Sequence, residues 1–482
     1  MAKEKQTGGK KHITGARIAK EIRQYKKDVF LSPMYTTFCV ILEILIPYLT
    51  ASIIDKGIAV GNMGHVARIG ALMAVMAVLA MFCGMRAGIH SARASTGLAS
   101  NLRESMFARI QDYSFSNIDK FSTAGLVTRL TTDVTNIQNA FQMLLMICTR
   151  SPVTLIVALF MAFSISAKLS LIFLAAMAFL AVMLFIFIPK AMGYFKQMFK
   201  KYDKVNGVVK ENVGAIRVVK AFVREDYEDK KFSDAAGELF QNSISAERII
   251  SFNMPIMQLT VYSCILFISW FGAKMIVNQT GLTTGELTSL LSYVMNILMS
   301  LMMLSMAFVM ITMSIASAER ITEVLNEETA IKNPEHPVME VPDGSIDFDH
   351  VSFSYEKGAE EFVLQDIDLH IRSGETIGII GGTGSSKSSL VNLISRLYDV
   401  SEGRVLVGGK DVRSYDLDTL RNEVSVVLQN NVLFSGTIYE NLRWGDAHAT
   451  DEECRHACRL ACADEFIERF PDGYNTCLLY TS

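Results

Sequence analysis

Residues 381–389, with the sequence GGTGSSKSS, follow an apolar segment and precede a helical pattern. The apolar segment, residues 375–380 (ETIGII), is typical of a buried strand. Apolar residues follow the loop at helical spacing: Leu390, Leu393, Ile394 and Leu397. A strand, a glycine-rich loop with Lys-Ser and a helix form the arrangement in which backbone N–H groups bind phosphate at a helix N-terminus. This part of the chain is therefore predicted to be a P-loop nucleotide-binding domain.

The loop residues have distinct expected roles. Lys387 is expected to reach the β- and γ-phosphates, and Ser388 to ligate Mg²⁺. The predicted ATP-binding residues of the loop are Gly381, Gly382, Thr383, Gly384, Ser385, Ser386, Lys387, Ser388 and Ser389. Ser386 stands where such loops carry a glycine, which predicts weaker nucleotide binding or a distorted loop, unless the serine is a single-base sequence error.

Upstream of the loop, the composition changes abruptly at Glu319. Residues 319–344 contain three prolines and are predicted to be a linker. Alternating segments at residues 345–355 and 362–371 predict strands. We expect residues 345–482 to form the nucleotide-binding domain, an incomplete α/β P-loop NTPase fold.

Residues 29–318 contain long stretches without a charged side chain. Asp, Glu, Lys and Arg are absent from residues 69–85, 151–167, 169–189, 249–273 and 287–318. A further stretch, residues 31–54, is interrupted only by Glu43. Because about 20 apolar residues span a bilayer as a helix, the sequence predicts an all-α membrane domain of six transmembrane helices.

The basic residues predict the orientation of these helices. Lys and Arg number nine in residues 1–28, five in 90–133 and twelve in 190–248. The alternate connections carry only Lys56, Arg68, Lys168 and Lys274. By the positive-inside rule, the N-terminal segment, both long loops and the nucleotide-binding domain are expected on the cytoplasmic side of the cytoplasmic membrane.

The composition excludes several classes of protein. Half of the residues are hydrophobic and the formal net charge is −3, which argues against a disordered chain and gives no support for a nucleic-acid partner. Eight cysteines in 482 residues are too sparse for a secreted disulfide framework. Cys454, Cys458 and Cys462 lack the spacing of a zinc site and are interpreted as small buried residues.

Two features of the membrane part have alternative interpretations. Glu43 and Arg150 lie at depths that differ by about 6 Å, so they either pair with each other or contact a substrate. The last helix carries a methionine stripe at residues 295, 299, 302, 306, 310 and 313. The stripe is interpreted as packing, with a soft lining for varied apolar ligands as the alternative.

Several segments resemble parts of a half-transporter of the ATP-binding cassette exporter family, of the bacterial multidrug or lipid type, and they occur along the chain in the order expected for that family. Residues 346–355 (IDFDHVSFSY) resemble the segment that ends in the adenine-stacking aromatic residue. Residues 424–441 (VSVVLQNNVLFSGTIYEN) resemble the Q-loop region. Residues 114–134 and 211–225 resemble the regions of the two coupling helices. The resemblance covers almost the whole chain.

The resemblance implies site residues, cofactors and partners. Tyr355 would stack on adenine, and Gln429 would contact Mg²⁺ and the attacking water. ATP and Mg²⁺ would be the cofactors. The partners would be a second half-transporter, the lipid bilayer and a hydrophobic or amphipathic substrate that is exported.

The sequence also departs from the family pattern. The 482 residues contain no stretch that resembles the signature motif, the Walker B strand with its catalytic glutamate, or the switch histidine. We therefore expect a C-terminally truncated chain that is inactive in hydrolysis by itself. The alternatives are a nucleotide-binding, non-hydrolysing subunit of a heterodimer, for which Ser386 is the only support, and a gated channel or regulator with the same architecture.

Overall fold

The computed structural model describes residues 15–355, 361–428 and 432–478. These residues form two compact units. The first contains the described residues up to Tyr113 together with Asn117–Thr329. The second contains Ser114–Ser116 and the described residues from Ala330 onward.

The first unit is helical. Its helices are α1 (Lys26–Ser52), α2 (Met63–Gln111), α3 (Phe115–Phe121, whose first two residues group with the second unit), α4 (Thr123–Thr128), α5 (Val134–Ile165), α6 (Ala167–Gly214), α7 (Ile216–Ala221), α8 (Glu225–Ser251), α9 (Asn253–Val277) and α10 (Thr284–Asn326). A π-helical segment, Ile53–Ile58, extends α1, and another, Arg129–Asp133, leads into α5. Helix α10 continues through Asn326, so the first residues of the predicted linker are helical.

Five helical stretches among the described residues are long and apolar enough to cross a membrane. They are Arg23–Ile58, Met63–Gln111, Thr123–Ile165, Met254–Val277 and Thr284–Asn326. The remaining predicted span, residues 169–189, lies in α6, where the apolar stretch that the structure describes is Ala167–Met183. A helix satisfies its own backbone hydrogen bonds, which is what an apolar bilayer requires.

Two apolar clusters hold the first unit together. The larger joins α1, α5, α6, α9 and α10, and within it the fully buried Tyr293 donates its hydroxyl to the carbonyl oxygen of Ile44 at 3.0 Å. The smaller joins the other ends of α2, α5 and α10 to α3 and α4. There the Tyr113 hydroxyl donates to the Val324 carbonyl oxygen at 2.8 Å, and burial raises the pKa of Tyr113 to about 12.

The start of α10 is fixed to the end of α1. Thr283 caps α10 through a capping box with Glu286. The Asp55 carboxylate accepts a hydrogen bond from the Thr283 hydroxyl at 2.6 Å and another from the Gly285 backbone N–H at 2.9 Å. A Cβ at Gly285 would lie 2.5 Å from the Ala51 carbonyl oxygen, so only glycine allows this close approach.

The second unit is built on a small antiparallel sheet. The strands are β1 (Ile346–Phe353), β2 (Leu364–Ile371), β3 (Glu402–Val407), β4 (Lys410–Asp411), β5 (Gly436–Thr437) and β6 (Cys477–Leu478). The helices are α11 (Lys387–Ile394), α12 (Leu417–Glu423), α13 (Ile438–Leu442), α14 (Asp451–Leu460) and α15 (Asp464–Ile467). The main sheet has the order β2-β1-β3-β4, and Phe348 on β1 lies opposite both Leu369 and Val405. Both predicted strands before the loop therefore form.

The predicted strand at residues 375–380 does not form. This segment has no regular secondary structure and pairs with none of the strands that the structure describes, and Ile380 is 98% exposed. An apolar strand of a parallel sheet gains its stability from neighbours on both edges. The described sheet is antiparallel throughout and offers this segment no such neighbour.

Candidate nucleotide site

The glycine-rich loop leads from the irregular segment 375–380 into α11. Gly384 has φ +86°, and Ser386, the N-cap of α11, has φ +61° and ψ +20°. Both residues therefore adopt the left-handed conformation, which costs an L-residue with a Cβ roughly 1 kcal/mol or more. The structure thus gives a physical reason why a glycine is favoured at position 386, where this chain has serine.

The Lys387 side chain folds back over the loop. Its ammonium group donates to the carbonyl oxygens of Gly381 at 2.9 Å and Gly382 at 2.7 Å, and to the Ser385 hydroxyl at 3.2 Å. The Ser385 hydroxyl in turn donates to the Gly382 carbonyl oxygen at 2.9 Å. The loop therefore concentrates one positive charge where phosphate oxygens are expected.

The N-terminus of α11 has no side-chain cap, because the Ser386 hydroxyl makes no capping hydrogen bond. The first backbone N–H groups of a helix have no partner within the helix and carry the positive end of its dipole. On its other side α11 packs Leu393, which is fully buried, against the sheet. An uncapped, rigidly mounted helix start beside the Lys387 ammonium fits a phosphate group.

Tyr355 lies next to this loop. Its hydroxyl is 2.8 Å from the Ser389 hydroxyl in the first turn of α11. Its ring contacts Phe353 edge-on at 4.8 Å between centroids and Tyr398 perpendicularly at 5.0 Å. The side chain is 46% exposed, so part of the ring remains accessible. The predicted adenine-stacking residue and the predicted phosphate loop therefore belong to one surface.

The predicted Mg²⁺ ligands are described only in part. Ser388 is exposed in the first turn of α11. Gln429 lies outside the described residues. The structure therefore brings together Tyr355, the loop and Ser388, and leaves the position of Gln429 as a prediction.

The three cysteines of α14 and its end differ in environment. Cys454 and Cys458 are buried in an apolar cluster with Ile438 and Tyr474, whereas Cys462 is exposed. Within the described part of the chain, no three potential ligands are grouped for a metal ion. The buried positions support the interpretation of Cys454 and Cys458 as small core residues, but that interpretation is wrong for Cys462, which is exposed.

Two His–Asp pairs on the sheet were missed by the sequence analysis. His350 on β1 lies 2.7 Å from Asp366, and His370 on β2 lies 2.8 Å from Asp347. Hydrogen bonding to these carboxylates raises the pKa of both imidazoles. The alternating sequence of the two strands was the only signal, since cross-strand partners depend on register.

In the first unit, Glu43 and Arg150 form the predicted ion pair, with 2.5 Å between Oε2 and Nη2. The Cys39 thiol also donates to Oε1 of Glu43 at 3.3 Å. About two fifths of each charged side chain stays exposed, at 40% for Glu43 and 43% for Arg150. The pair joins α1 to α5, so pairing, one of the two interpretations of these residues, is present.

The methionine stripe of α10 is only partly packed within this chain. Met295, Met299 and Met306 are each more than half exposed, at 51%, 57% and 65%. Met302 is half-buried against the core, whereas the side chain of Met313 lies outside what the structure describes. Met295, Met299 and Met302 help to line a cavity of about 250 Å³ between α9 and α10. Packing against this chain's own core therefore does not account for the whole stripe.

Long apolar helices followed by a phosphate loop in one chain define a membrane transporter driven by a nucleotide. Comparison with known proteins agrees. The family model of the ABC transporter transmembrane region matches residues 29–302. A second family model, of the ABC transporter, matches residues 364–476. The chain belongs to the ATP-binding cassette (ABC) transporter family.

Three relatives illustrate this similarity. YfiB of Bacillus subtilis, named an uncharacterized ABC transporter ATP-binding protein, is 34% identical over 437 residues, which cover 91% of this chain and 76% of the relative. The ATP-dependent lipid A-core flippase of Desulfotalea psychrophila is 30% identical over 80% of this chain and 67% of its own. The putative multidrug export ATP-binding/permease protein YgaD of Bacillus subtilis is 26% identical over 94% of this chain and 79% of its own.

Proposed function

We propose that this chain is one half of a dimeric transporter that exports hydrophobic or amphipathic molecules across the cytoplasmic membrane. The observation that carries the proposal is the uncapped start of α11 beside the Lys387 ammonium, in one chain with apolar helices long enough to span a bilayer. The names of two relatives, a lipid A-core flippase and a putative multidrug exporter, support the class of substrate.

The residues of the loop, the start of α11 and Tyr355 would each take part in nucleotide binding. Bound ATP supplies the free energy for transport. The backbone N–H groups at the start of α11 would hold phosphate oxygens, and Lys387 would exchange its bonds to Gly381 and Gly382 for bonds to phosphate. Ser388 and Gln429 would hold Mg²⁺, and the exposed part of the Tyr355 ring would stack on adenine.

The topology belongs to the same proposal. Residues 29–318 would form six transmembrane helices, with the N-terminal segment, the two long loops and the nucleotide-binding domain in the cytoplasm. The charge asymmetry supports this orientation, since nine and twelve basic residues lie in two of the segments assigned to the cytoplasm. Cysteines introduced at Asn62 and Thr283 should react with an impermeant reagent from outside the cell.

Hydrolysis would need further groups besides the loop, Ser388 and Gln429. No stretch of the 482 residues resembles a catalytic glutamate or a signature motif, and phosphoryl transfer needs all its charge-stabilising groups in place. We therefore propose weak ATP binding and no coupled turnover for the 482-residue chain. Appreciable Lys387-dependent hydrolysis by this chain would refute that part of the proposal.

The test is ATP binding by the purified chain in detergent. Lys387→Ala should abolish Mg²⁺-dependent binding, because it removes the charge at the loop. Lys410→Ala, which removes an exposed lysine of β4 in the same unit, is the matched control and should bind like the unmodified chain. Equal binding by the unmodified chain and Lys387→Ala would contradict the proposed site.

A second candidate is a non-hydrolysing subunit of a heterodimeric transporter. The left-handed backbone of Ser386 favours it, because a strained loop weakens nucleotide binding. The Ser386→Gly variant tests this candidate. An unchanged ATP affinity would remove its only support.

A further inference from the structure

A cavity of about 430 Å³ lies between the first turns of α6 and the last turn of α9. Its lining is divided into a polar part and an apolar part. The polar part consists of Lys168 and Lys274, with Asn278 and Thr280 from the segment that follows α9. This division distinguishes the cavity from the methionine-lined one between α9 and α10.

The two lysines place two positive charges at the cavity. Both are exposed, and in the described part of the chain neither has a carboxylate within 4 Å. Lys168 lies in the first turn of α6, which is capped by Ser166, so the helix dipole adds positive potential there. Two like charges lining one cavity are unfavourable unless an anion joins them.

The other half of the cavity is apolar. Leu169 is 2% exposed and belongs to the main core, and Ile172 packs against that core one turn deeper. Phe271 and Met275 face the cavity from α9. A charged rim above an apolar floor matches a molecule with an anionic head and a hydrocarbon tail.

The distribution of basic residues along the chain supports a specific role for this cavity. The connections assigned to the outer side carry only four basic residues, Lys56, Arg68, Lys168 and Lys274. Two of the four line this one cavity. Since basic residues are depleted on the outer side of membrane proteins, their pairing here indicates a specific use.

We propose that this cavity binds one anionic phospholipid of the outer leaflet, with its phosphate between Lys168 and Lys274 and one acyl chain along Leu169, Ile172 and Phe271. The assignment to the outer leaflet rests on the topology in the proposed function. Each lysine near the headgroup contributes about a fivefold preference for an anionic lipid, so the pair predicts about 25-fold.

Quenching of the Trp270 fluorescence by brominated lipids measures lipid binding at this cavity. Trp270 lies on α9 one turn before Lys274, on the same helix face, and is 71% exposed. The chain has two tryptophans, so Trp444→Phe leaves Trp270 as the only one. In phosphatidylcholine nanodiscs, brominated phosphatidylglycerol should quench Trp270 fluorescence at about 25-fold lower mole fraction than brominated phosphatidylcholine.

Matched variants test the assignment to these lysines. Lys168→Gln with Lys274→Gln should abolish the preference, whereas Lys168→Arg with Lys274→Arg should keep it. Lys56→Gln with Arg68→Gln removes the same charge from the same side outside the cavity and should leave the preference unchanged. A preference that survives in the Lys168/Lys274 glutamine variant, or that is lost in the Lys56/Arg68 variant, overturns the proposal.

Two further measurements separate the remaining explanations. Inorganic phosphate at constant ionic strength should leave the quenching unchanged, because it lacks the acyl chain; displacement by phosphate would show a site for free anions and overturn the proposal. ATP binding is measured on the same samples. Lys387-dependent ATP binding without any lipid preference would refute the lipid site while leaving the proposed function intact.

Discussion

The helical unit and the sheet-containing unit differ in how much of their apolar sequence finds a partner. In the helical unit, five predicted spans form continuous helices. In the sheet-containing unit, β1 pairs with β2 on one side and β3 on the other, yet residues 375–380 pair with no described strand, and Ile380 is 98% exposed. A helix closes its hydrogen bonds within itself, whereas a strand needs neighbours. The difference shows that apolar character alone specifies a helix better than a strand.

The largest expected effect is the difference in stability cost between a substitution in the paired strand β1 and one in the unpaired segment 375–380. Phe348→Ala should destabilise the sheet by about 3 to 5 kcal/mol, because Phe348 is fully buried between β2 and β3. Ile380→Ala should change stability by less than about 0.5 kcal/mol, because its side chain is exposed. Hydrogen exchange of peptides from β1 and β3, measured on the whole chain, gives the stability change of the sheet in both variants. Similar costs for the two variants would show that residues 375–380 are packed.

The next effect tests a contact between helices. Glu43→Gln leaves Arg150 without its counter-ion in an apolar span and should cost about 1 to 2 kcal/mol, since both side chains are partly exposed. Glu43→Gln combined with Arg150→Gln should recover most of that loss. Glu104→Gln breaks the exposed pair with Arg23 and serves as the control, with a cost below about 0.5 kcal/mol. Thermal unfolding in detergent measures all three variants, and an additive double variant would argue against coupling.

A smaller effect is expected in the phosphate loop. Ser386→Gly should relieve the left-handed strain, worth about 1 kcal/mol, and raise ATP affinity about fivefold. Gly384→Ala is the matched opposite, because it places a Cβ at φ +86° in the same loop and should lower the affinity by a similar factor. Calorimetric titration with ATP measures both changes. If Ser386→Gly binds no better, the strain at this position does not limit nucleotide binding.

The smallest effect is a pH dependence of the β1–β2 pair. Hydrogen bonds to Asp366 and Asp347 raise the pKa values of His350 and His370 above the usual 6.5. A raised folded-state pKa adds stability that is complete below the unfolded pKa and is lost as the pH rises through the folded value. Exchange protection of β1 and β2 should therefore fall with a midpoint above pH 6.5. Replacing both histidines by Gln should flatten this profile, and an unchanged profile would assign it to other groups.

Much of this architecture follows from sequence patterns. The charge-free stretches located the helical spans, because a helix makes its backbone hydrogen bonds within its own segment. The position of Lys387 and Ser388 directly after the glycine-rich loop located the start of α11, which also depends only on the local sequence. Counting residues along two helices also placed Glu43 and Arg150 at similar depths, and pairing was one of the two resulting interpretations.

Other features depend on contacts between distant parts of the chain. The hydrogen bond from Thr283 to Asp55 joins residues 228 positions apart, and no periodicity marks it. The pairing of His350 with Asp366 requires the register of β1 against β2, which has shifts between Phe348 and Phe353. The unpaired segment 375–380 was mispredicted because an apolar run is compatible with a strand but does not supply the strand's neighbours.

The attachment of α10 to Asp55 has a mechanical consequence. Helix α10 is continuous over 43 residues, which corresponds to about 64 Å at 1.5 Å per residue. The two hydrogen bonds to Asp55 and the contact of Gly285 with Ala51 hold one end of this rod against α1. A tilt of about 5° around that end would displace Asn326 by about 5 Å, roughly one turn of a helix. Because the Tyr113 hydroxyl holds the Val324 carbonyl oxygen near the other end of α10, such a tilt would have to carry that contact with it.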